Sequence, residues 1–395
     1  MTALAITLIV LTAVVLGIWA SRHVMIAKEG GGFVLTEQYR GDGELPPVSV
    51  VVAAKDEQEN IGRCATTMLE QDYGELEMIV VNDRSTDGTA SIVQRIAEKD
   101  RRLRLINVGH LPAGWCGKNH AMQTGIAAAR SEWICMIDAD CHQTSRRSLT
   151  AAVAYAQDSG ADLLSVLPNL EMKGFWESAV QPVCAGVMMI WFNPAKVNDP
   201  ARPQAYANGA FMLMRRPAYE AVGGHAAVRD KLNEDMHLAA RTKQQGLKLR
   251  VVRNNGLYLV RMYSSLREIV AGWSRIFYGT FGTRRRLSIS LAVLMVMALL
   301  PYAAAALGWS AWAAGARPAG LLLACGLLGA AAAAVQISVI YRFYRLIGAR
   351  AEMAWSYPIG CLAAIVALLV ALIKSRPGAR FTWRSTTYTN PKPPA

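Results

Sequence analysis

Four apolar stretches set the first constraint on this chain: residues 3–20 at one end, and 287–308, 319–341 and 354–373 at the other. Each later stretch has about the 20 residues that a helix needs to cross a hydrocarbon layer. The residues between the two ends must therefore build a water-facing domain, and 47–260 is long enough to enclose its own core. Composition agrees. Of 395 residues, 53% are hydrophobic and 18% charged, too apolar for a wholly soluble enzyme and too polar for a bundle of membrane helices alone.

The net charge of +13 is concentrated beside the apolar runs, at Arg284, Arg285, Arg286, Arg342, Arg345 and Arg350. That placement points to a membrane surface. No nucleic-acid module is recognisable, so nucleic acid is not expected as a partner. No basic residue precedes the first run, whereas Arg22, His23 and Lys28 follow it. Residues 1–22 thus read as an uncleaved anchor with its C-terminal end in the cytoplasm, followed by a linker at 23–46. The seven cysteines lack zinc-ligand spacing and read as reduced, packed thiols. The tail, 375–395, raises a conflict. Three crossings after an inside domain would carry Lys374, Arg376, Arg380 and Arg384 to the outside, against the preference of basic residues. Either one apolar run is a hairpin or the tail breaks that rule.

Within 47–260, strand-like runs at Val48–Ala53, Met78–Val81, Leu103–Val108, Trp133–Ile137 and Leu163–Leu167 alternate with helix-like segments such as Ala90–Glu98. This is the pattern of an α/β domain, a mostly parallel sheet flanked by helices. At 261–286 the period changes. Met262, Leu266, Ile269, Val270, Trp273, Ile276 and Phe277 share one helical face, as in an amphipathic segment at a membrane interface.

The chemistry gathers at strand ends. Asp138-Ala139-Asp140 follows the apolar run Trp133–Ile137, at the edge of an open α/β sheet where ligands bind. Two carboxylates so spaced can reach one Mg2+ or Mn2+, an ion usually held by one or two carboxylates plus phosphate oxygens. Another strand runs into Val81-Asn82-Asp83, where Asp83 can accept hydrogen bonds from a nucleobase and Asp87 reads as a helix cap. A third ends at Ala53 and Ala54, small enough for a flat base to approach, before Lys55, Asp56 and Glu57. Lys118, near a helix start in Gly114-Trp115-Cys116-Gly117-Lys118, can meet phosphate. Finally, Asn233-Glu234-Asp235 opens a helix. Both acids suit its dipole, and Asp235 is also a candidate general base.

Taken in order, VSVVVAAKDEQENI, VVNDRSTDGTA, GKNHAMQTG, ICMIDADC, ANGAFMLMRRPAYEAVGGH and NEDMHLA resemble the family-two glycosyltransferases of the GT-A fold, across residues 47–240. The LPAGWCGKNHA and RMYSSLREIVAGWSR stretches look like bacterial enzymes that glycosylate carotenoid or hopanoid lipids. The resemblance implies a nucleotide-sugar donor contacted by Ala54, Glu57, Asp83, Lys118 and Asp138, and a metal on Asp140. It implies Asp235 as the base of an inverting transfer, and an acceptor side at Asn208, Gly209, Glu234 and Trp273. It also implies a multi-pass protein of the cytoplasmic membrane with its catalytic domain inside. Gln and Arg do not stand ahead of Trp273 as in the Gln-x-x-Arg-Trp element of processive synthases, so transfer of a single sugar to a lipid is expected. The competing readings are a processive polysaccharide synthase, and a transporter with a nucleotide-binding domain.

Overall fold

The computed structural model describes residues 2–29 and 32–376, and the backbone of two short paired strands, Arg380–Trp383 and Thr386–Thr389. Most of the tail at 375–395, including Arg384, lies outside the described residues.

Eleven strands belong to the central domain: β1 Val34–Thr36, β2 Val48–Ala54, β3 Leu76–Asp83, β4 Leu103–Val108, β5 Trp133–Asp138, β6 Cys141–Gln143, β7 Leu163–Leu167, β8 Asn169–Leu170, β9 Phe211–Arg215, β10 Leu249–Asn255 and β11 Tyr258–Val260. Eight form one sheet in the order β1-β10-β7-β9-β5-β2-β3-β4. All pairs are parallel except those of β9, which runs antiparallel between β5 and β7. Both faces of the sheet are covered, as the near-continuous Val and Ile runs require. In β2, Val48, Val50, Val52 and Ala54 pack into one core and Val51 into the other. The five expected strands are all present. Strands β9 and β10 had no clear signal, since Phe211–Arg215 is short and Leu249–Asn255 carries Arg250 and Arg253. Strands β6, β11 and β8 make a small second sheet beside the site.

Because β2, β3 and β5 are parallel and in register, Ala54, Asp83 and Asp138 fall at one edge. The loops beyond β2 and β3 are tied together. The Asp56 backbone N–H donates to Ser85 Oγ at 3.0 Å, Thr86 N–H donates to Asp56 Oδ1 at 2.8 Å, and Gln58 N–H donates to Asp87 Oδ2 at 3.0 Å. Asp56 and Arg84 hold positive φ of 52° and 56°, a strained conformation these cross-links maintain. Asp87 does work at the start of the next helix, accepting from Thr89 N–H at 3.0 Å, but from the position before the N-cap residue Gly88.

Among the described residues, four helices are long and apolar enough to cross a membrane: Thr2–Ala27, Arg284–Ala313, Ala319–Leu346 and Ala351–Lys374. The second contains a π turn at Met295–Leu299 just before Pro301. Proline has no N–H and displaces the carbonyl four residues earlier, here Met297. That carbonyl accepts from Trp19 Nε1 and Gln336 Nε2, both at 2.8 Å, so the freed group is satisfied by two neighbouring helices. The second and third helices meet through Gly308, Gly326 and Gly329, where an added Cβ would strike the facing backbone or Trp309.

The last apolar helix differs. It packs on the helices Phe175–Trp191 and Leu266–Phe281, and Gly360 abuts the backbone carbonyl of Ala179. Its terminal Lys374 donates to Ser274 Oγ at 3.0 Å and lines the cleft at the sheet edge. This helix therefore ends at the sheet edge of the central domain. The third apolar run expected after residue 286 thus forms a helix with one face packed on protein. The 261–286 segment also departs from expectation. Its Leu266–Phe281 helix forms with a Ser265/Glu268 capping box, but its apolar face at Ile269, Trp273 and Phe277 is buried by protein. A protein partner, the helix ending at Lys374, covers that face.

Candidate active site

A cleft of ≈ 580 Å³ opens at the sheet edge, lined by Ala54, Glu57, Asp83, Lys118, Asp138, Asp140, Asn208, Gly209, Glu234 and Asp235 among others. Every expected site residue except Trp273 lines it. Trp273 is 6% exposed and lines a separate apolar cavity next to the cleft.

On the strand-end wall, Asp83 is 3% exposed and gripped in a fork by Arg84, at 2.8 Å to Oδ1 and 3.1 Å to Oδ2. Gly117, which opens the next helix, sits so near Asp83 that a side chain there would collide with its carboxylate. Lys118 bridges two elements: its Nζ is 2.6 Å from Asp138 Oδ1 and 2.7 Å from Glu234 Oε1. Burial would lower the Lys118 pKa, but Asp138, Glu234 and Asp235 outweigh it and hold the ammonium well above the ordinary lysine value. The sequence pointed Lys118 towards phosphate. In this structure it is the cation that lets several acids share one buried space.

The opposite wall is the start of the helix Glu234–Gln244. Asp235 Oδ2 accepts from Gly209 N–H at 2.8 Å and Oδ1 from Met236 N–H at 2.7 Å. The helix start thus orients this carboxylate: a first-turn N–H donates to it. Burial and then the Glu234 charge push the Asp235 carboxyl up, against the pull of Lys118 and the two N–H groups, to about 7. A carboxyl poised near neutrality is suited to proton transfer. Gly209 is tightly surrounded: a Cβ there would lie 3.0 Å from Lys118 Nζ, so the lysine end would have to shift by a few tenths of an ångström. Asn208 turns its Oδ1 to Ala210 N–H at 3.0 Å, so it shapes the wall through its own backbone.

Residues not singled out from sequence hold this wall in place. Asn119 Nδ2 donates to the carbonyls of Val228, Arg229 and Lys231, fixing the loop before the helix. Asn233 Nδ2 reaches Thr280 Oγ1 at 2.6 Å and ties the same helix to Leu266–Phe281. Asn119 was within a quoted motif, and its spacing after Gly117 was the available signal. Arg275 and Lys374, both on the cleft, had none, because helical packing brings them there from segments read as membrane.

For a divalent cation the donor set is small. Asp138 and Asp140 face the same cleft, and no group of three or more His, Cys, Asp or Glu side chains among the described residues could hold an ion. That fits Mg2+ or Mn2+, which take one or two carboxylates and complete their shell with substrate phosphates and water.

A mostly parallel sheet with acidic strand ends and a later helix presenting a carboxylate across the cleft defines the GT-A class of fold. Residues 49–223 match the model described as "Glycosyl transferase family 2". It is similar to the 4,4'-diaponeurosporenoate glycosyltransferase of Staphylococcus aureus, 25% identical over 249 residues, which are 62% of this chain and 65% of that protein. The alignment thus spans just under two thirds of the relative's length. Among solved structures it is similar to the mannosyltransferase PcManGT from Pyrobaculum calidifontis in complex with GDP-Man and Mn2+. That match has a TM-score of 0.55 and 22% identity, over 94% of this chain and 97% of the other.

Proposed function

We propose that this chain is an inverting glycosyltransferase that moves one sugar from a nucleotide-sugar, a UDP-sugar foremost, to a hydroxyl or carboxyl of a membrane lipid. The observation that carries this is Asp235: a carboxyl raised to about 7 that shares one cleft with Asp83, Asp138 and Asp140. The match of residues 49–223 to the family model and the carotenoid-directed relative support the reaction class.

In this reading Asp83 receives the nucleobase, with Ala54 and Glu57 beside it, and Asp138 lies near the ribose and diphosphate. Asp235 takes the proton of the acceptor hydroxyl as its oxygen bonds to the anomeric carbon. The bond from that carbon to the diphosphate breaks on the opposite face, the nucleoside diphosphate leaves, and configuration inverts. Asp140 with Asp138 would hold Mg2+ or Mn2+, which supplies charge neutralisation for the departing diphosphate. The neighbour solved with GDP-Man and Mn2+ supports both donor class and metal. Lys118 offers a cation near the same phosphates. Arg275 and Lys374, on the acceptor side, suit a lipid whose polar end is acidic.

The domain faces the cytoplasm in this proposal, where nucleotide-sugars are made. Arg22 lies in the C-terminal part of the first apolar helix, and Arg345 and Arg350 lie at the end of the third, which fits the preference of basic residues for that side. The test is incubation of membranes holding the protein with a panel of radiolabelled nucleotide-sugars, followed by lipid extraction. A labelled lipid carrying one sugar of inverted configuration is expected. A labelled polymer, or label in no lipid from any donor, would remove the proposal.

A further inference from the structure

Beside the cleft lies a second, largely apolar cavity of ≈ 320 Å³, with Leu167, Met172, Ala185, Met189 and Trp273 in its wall. It shares Met188, Tyr206, Asn208, Met262 and Ile276 with the cleft, so the two spaces meet at a common partition. Its other end reaches Phe33, just past the first apolar helix, and Leu346, Ile347 and Ala349, where the third one stops. Those two helices lie side by side, with His23 and Arg342 in contact at 2.9 Å. The cavity thus runs from the level at which two membrane helices end to the wall of the catalytic cleft.

The lining is mostly Leu, Met, Ala, Pro, Phe and Trp, with Asn169, Asn193, Asn208, Arg253 and Asn254 among it, so most of the space offers water few of the polar partners it needs. Left empty, it forfeits the dispersion contacts of its lining. The Trp273 indole N–H has no hydrogen-bond partner among the described residues, although the ring is buried. Phe33 and Ala349 stand just past two helices long and apolar enough to cross a membrane, so a bilayer around those helices would offer hydrocarbon chains at that end.

We propose that this cavity seats the apolar chain of the acceptor, an extended hydrocarbon that enters from the bilayer between the two helix ends. The proposal rests on the reading of the chain as a lipid glycosyltransferase. Seated there, the chain passes the Met188, Tyr206 and Ile276 partition and leaves its polar end in the cleft before Asp235. Trp273 is then an acceptor-side residue that touches the chain rather than the reacting atoms.

The experiment uses the full chain purified in detergent and octadecanoic acid carrying a mid-chain diazirine. After irradiation, the labelled peptides are mapped by mass spectrometry. Label on Met172, Met188 or Met189, competed by excess octadecanoic acid, is expected. Ala185→Phe, which fills the cavity without reaching the cleft, reduces that label at least tenfold while nucleoside-diphosphate affinity stays the same. Ala349→Phe, at the far end, gives the same result should the first variant fold poorly. Label confined to the outward stripe Leu362, Val366, Leu369 and Ile373, or undiminished in both variants, overturns the seat. The transferase reading fails separately. Saturable label in the cavity, with no sugar transferred to any lipid, would keep the chain seat and remove the reaction.

Discussion

The two walls of the cleft are built by different physics. The strand-end wall, with Ala54, Asp83 and Asp138, is fixed by three parallel strands in register and by loops that hydrogen-bond to one another. The opposite wall, with Asp235, Arg275 and Lys374, is assembled from three helices that are distant in sequence. Beyond the apolar packing of its helices, it is positioned by a few polar ties: Gly209 N–H on Asp235, Asn233 on Thr280, Asn119 on the loop before the helix, and Lys374 on Ser274. A wall built by register tolerates changes in its neighbours, whereas one built by docked helices depends on each tie. The first should therefore govern donor affinity and the second the rate and choice of acceptor.

The sharpest way to break that division is Asp235→Asn, which keeps the size of the side chain and removes the base. Transfer to a hydroxyl acceptor should fall by about 10²–10⁴-fold, the usual worth of general base catalysis, with nucleotide binding unchanged. Titration calorimetry and initial rates would check both halves, and a matching loss of nucleotide affinity would erase the distinction between the walls. The wild-type rate should also fall as pH drops through about 7, because the Asp235 carboxyl is then protonated and cannot accept the proton. An acceptor carboxylate, already deprotonated, would show neither that limb nor so large a loss.

Next in size is Asp140→Ala. It should weaken metal-dependent donor binding by more than roughly 10-fold, the lower end of what losing even an outer-shell metal partner costs. Raising Mn2+ should restore part of the affinity, read by calorimetry at several metal concentrations. Gly209→Ala touches both walls, since its Cβ would sit 3.0 Å from Lys118 Nζ and 3.5 Å from Asp235 Oδ2. A loss of roughly 10-fold in kcat is expected, below the ~10²-fold that a 1 Å displacement of catalytic groups brings. A loss confined to donor KM would assign Gly209 to the strand-end wall.

The same division explains what could be read in advance. The strand-end wall was legible because strand periodicity, a carboxylate at each strand end and the i, i+2 pair Asp138 and Asp140 are local signals. Asp235 was legible as a helix start with acids in its first turn. The helix at Tyr357–Lys374 was legible as an apolar run, but its packing on the rest of the chain was not, because hydropathy cannot distinguish a lipid-covered helix from one half covered by protein. Its buried face, Gly360, Cys361, Ala364, Leu368 and Ala371, and its outward stripe, Leu362, Val366, Leu369 and Ile373, are equally apolar. Trp273 was drawn to the cleft by its segment, yet one helical step turns it to the apolar cavity while Gly272 and Arg275 line the cleft.

Lys374 gives the smallest expected effect and the finest probe of the helical wall. It stands at the end of an apolar helix, partly exposed, and meets a hydroxyl, Ser274 Oγ, at 3.0 Å. An ammonium there adds attraction for an acidic acceptor end and does little for a donor held across the cleft. Lys374→Ala should raise the acceptor KM by no more than about 5-fold, matching the ≲1 kcal/mol of a partly exposed ion pair. Donor KM should not move. Because such attraction is screened, the difference between variant and wild type should shrink as salt is raised from about 0.01 M to 0.15 M, where the Debye length drops from about 30 Å to about 8 Å. A salt-independent change in acceptor KM would mean that Lys374 acts by seating its helix, and a change in donor KM would place it with the phosphates. A neutral acceptor would show no charge effect at all, so this variant also reads the chemistry of the lipid's polar end.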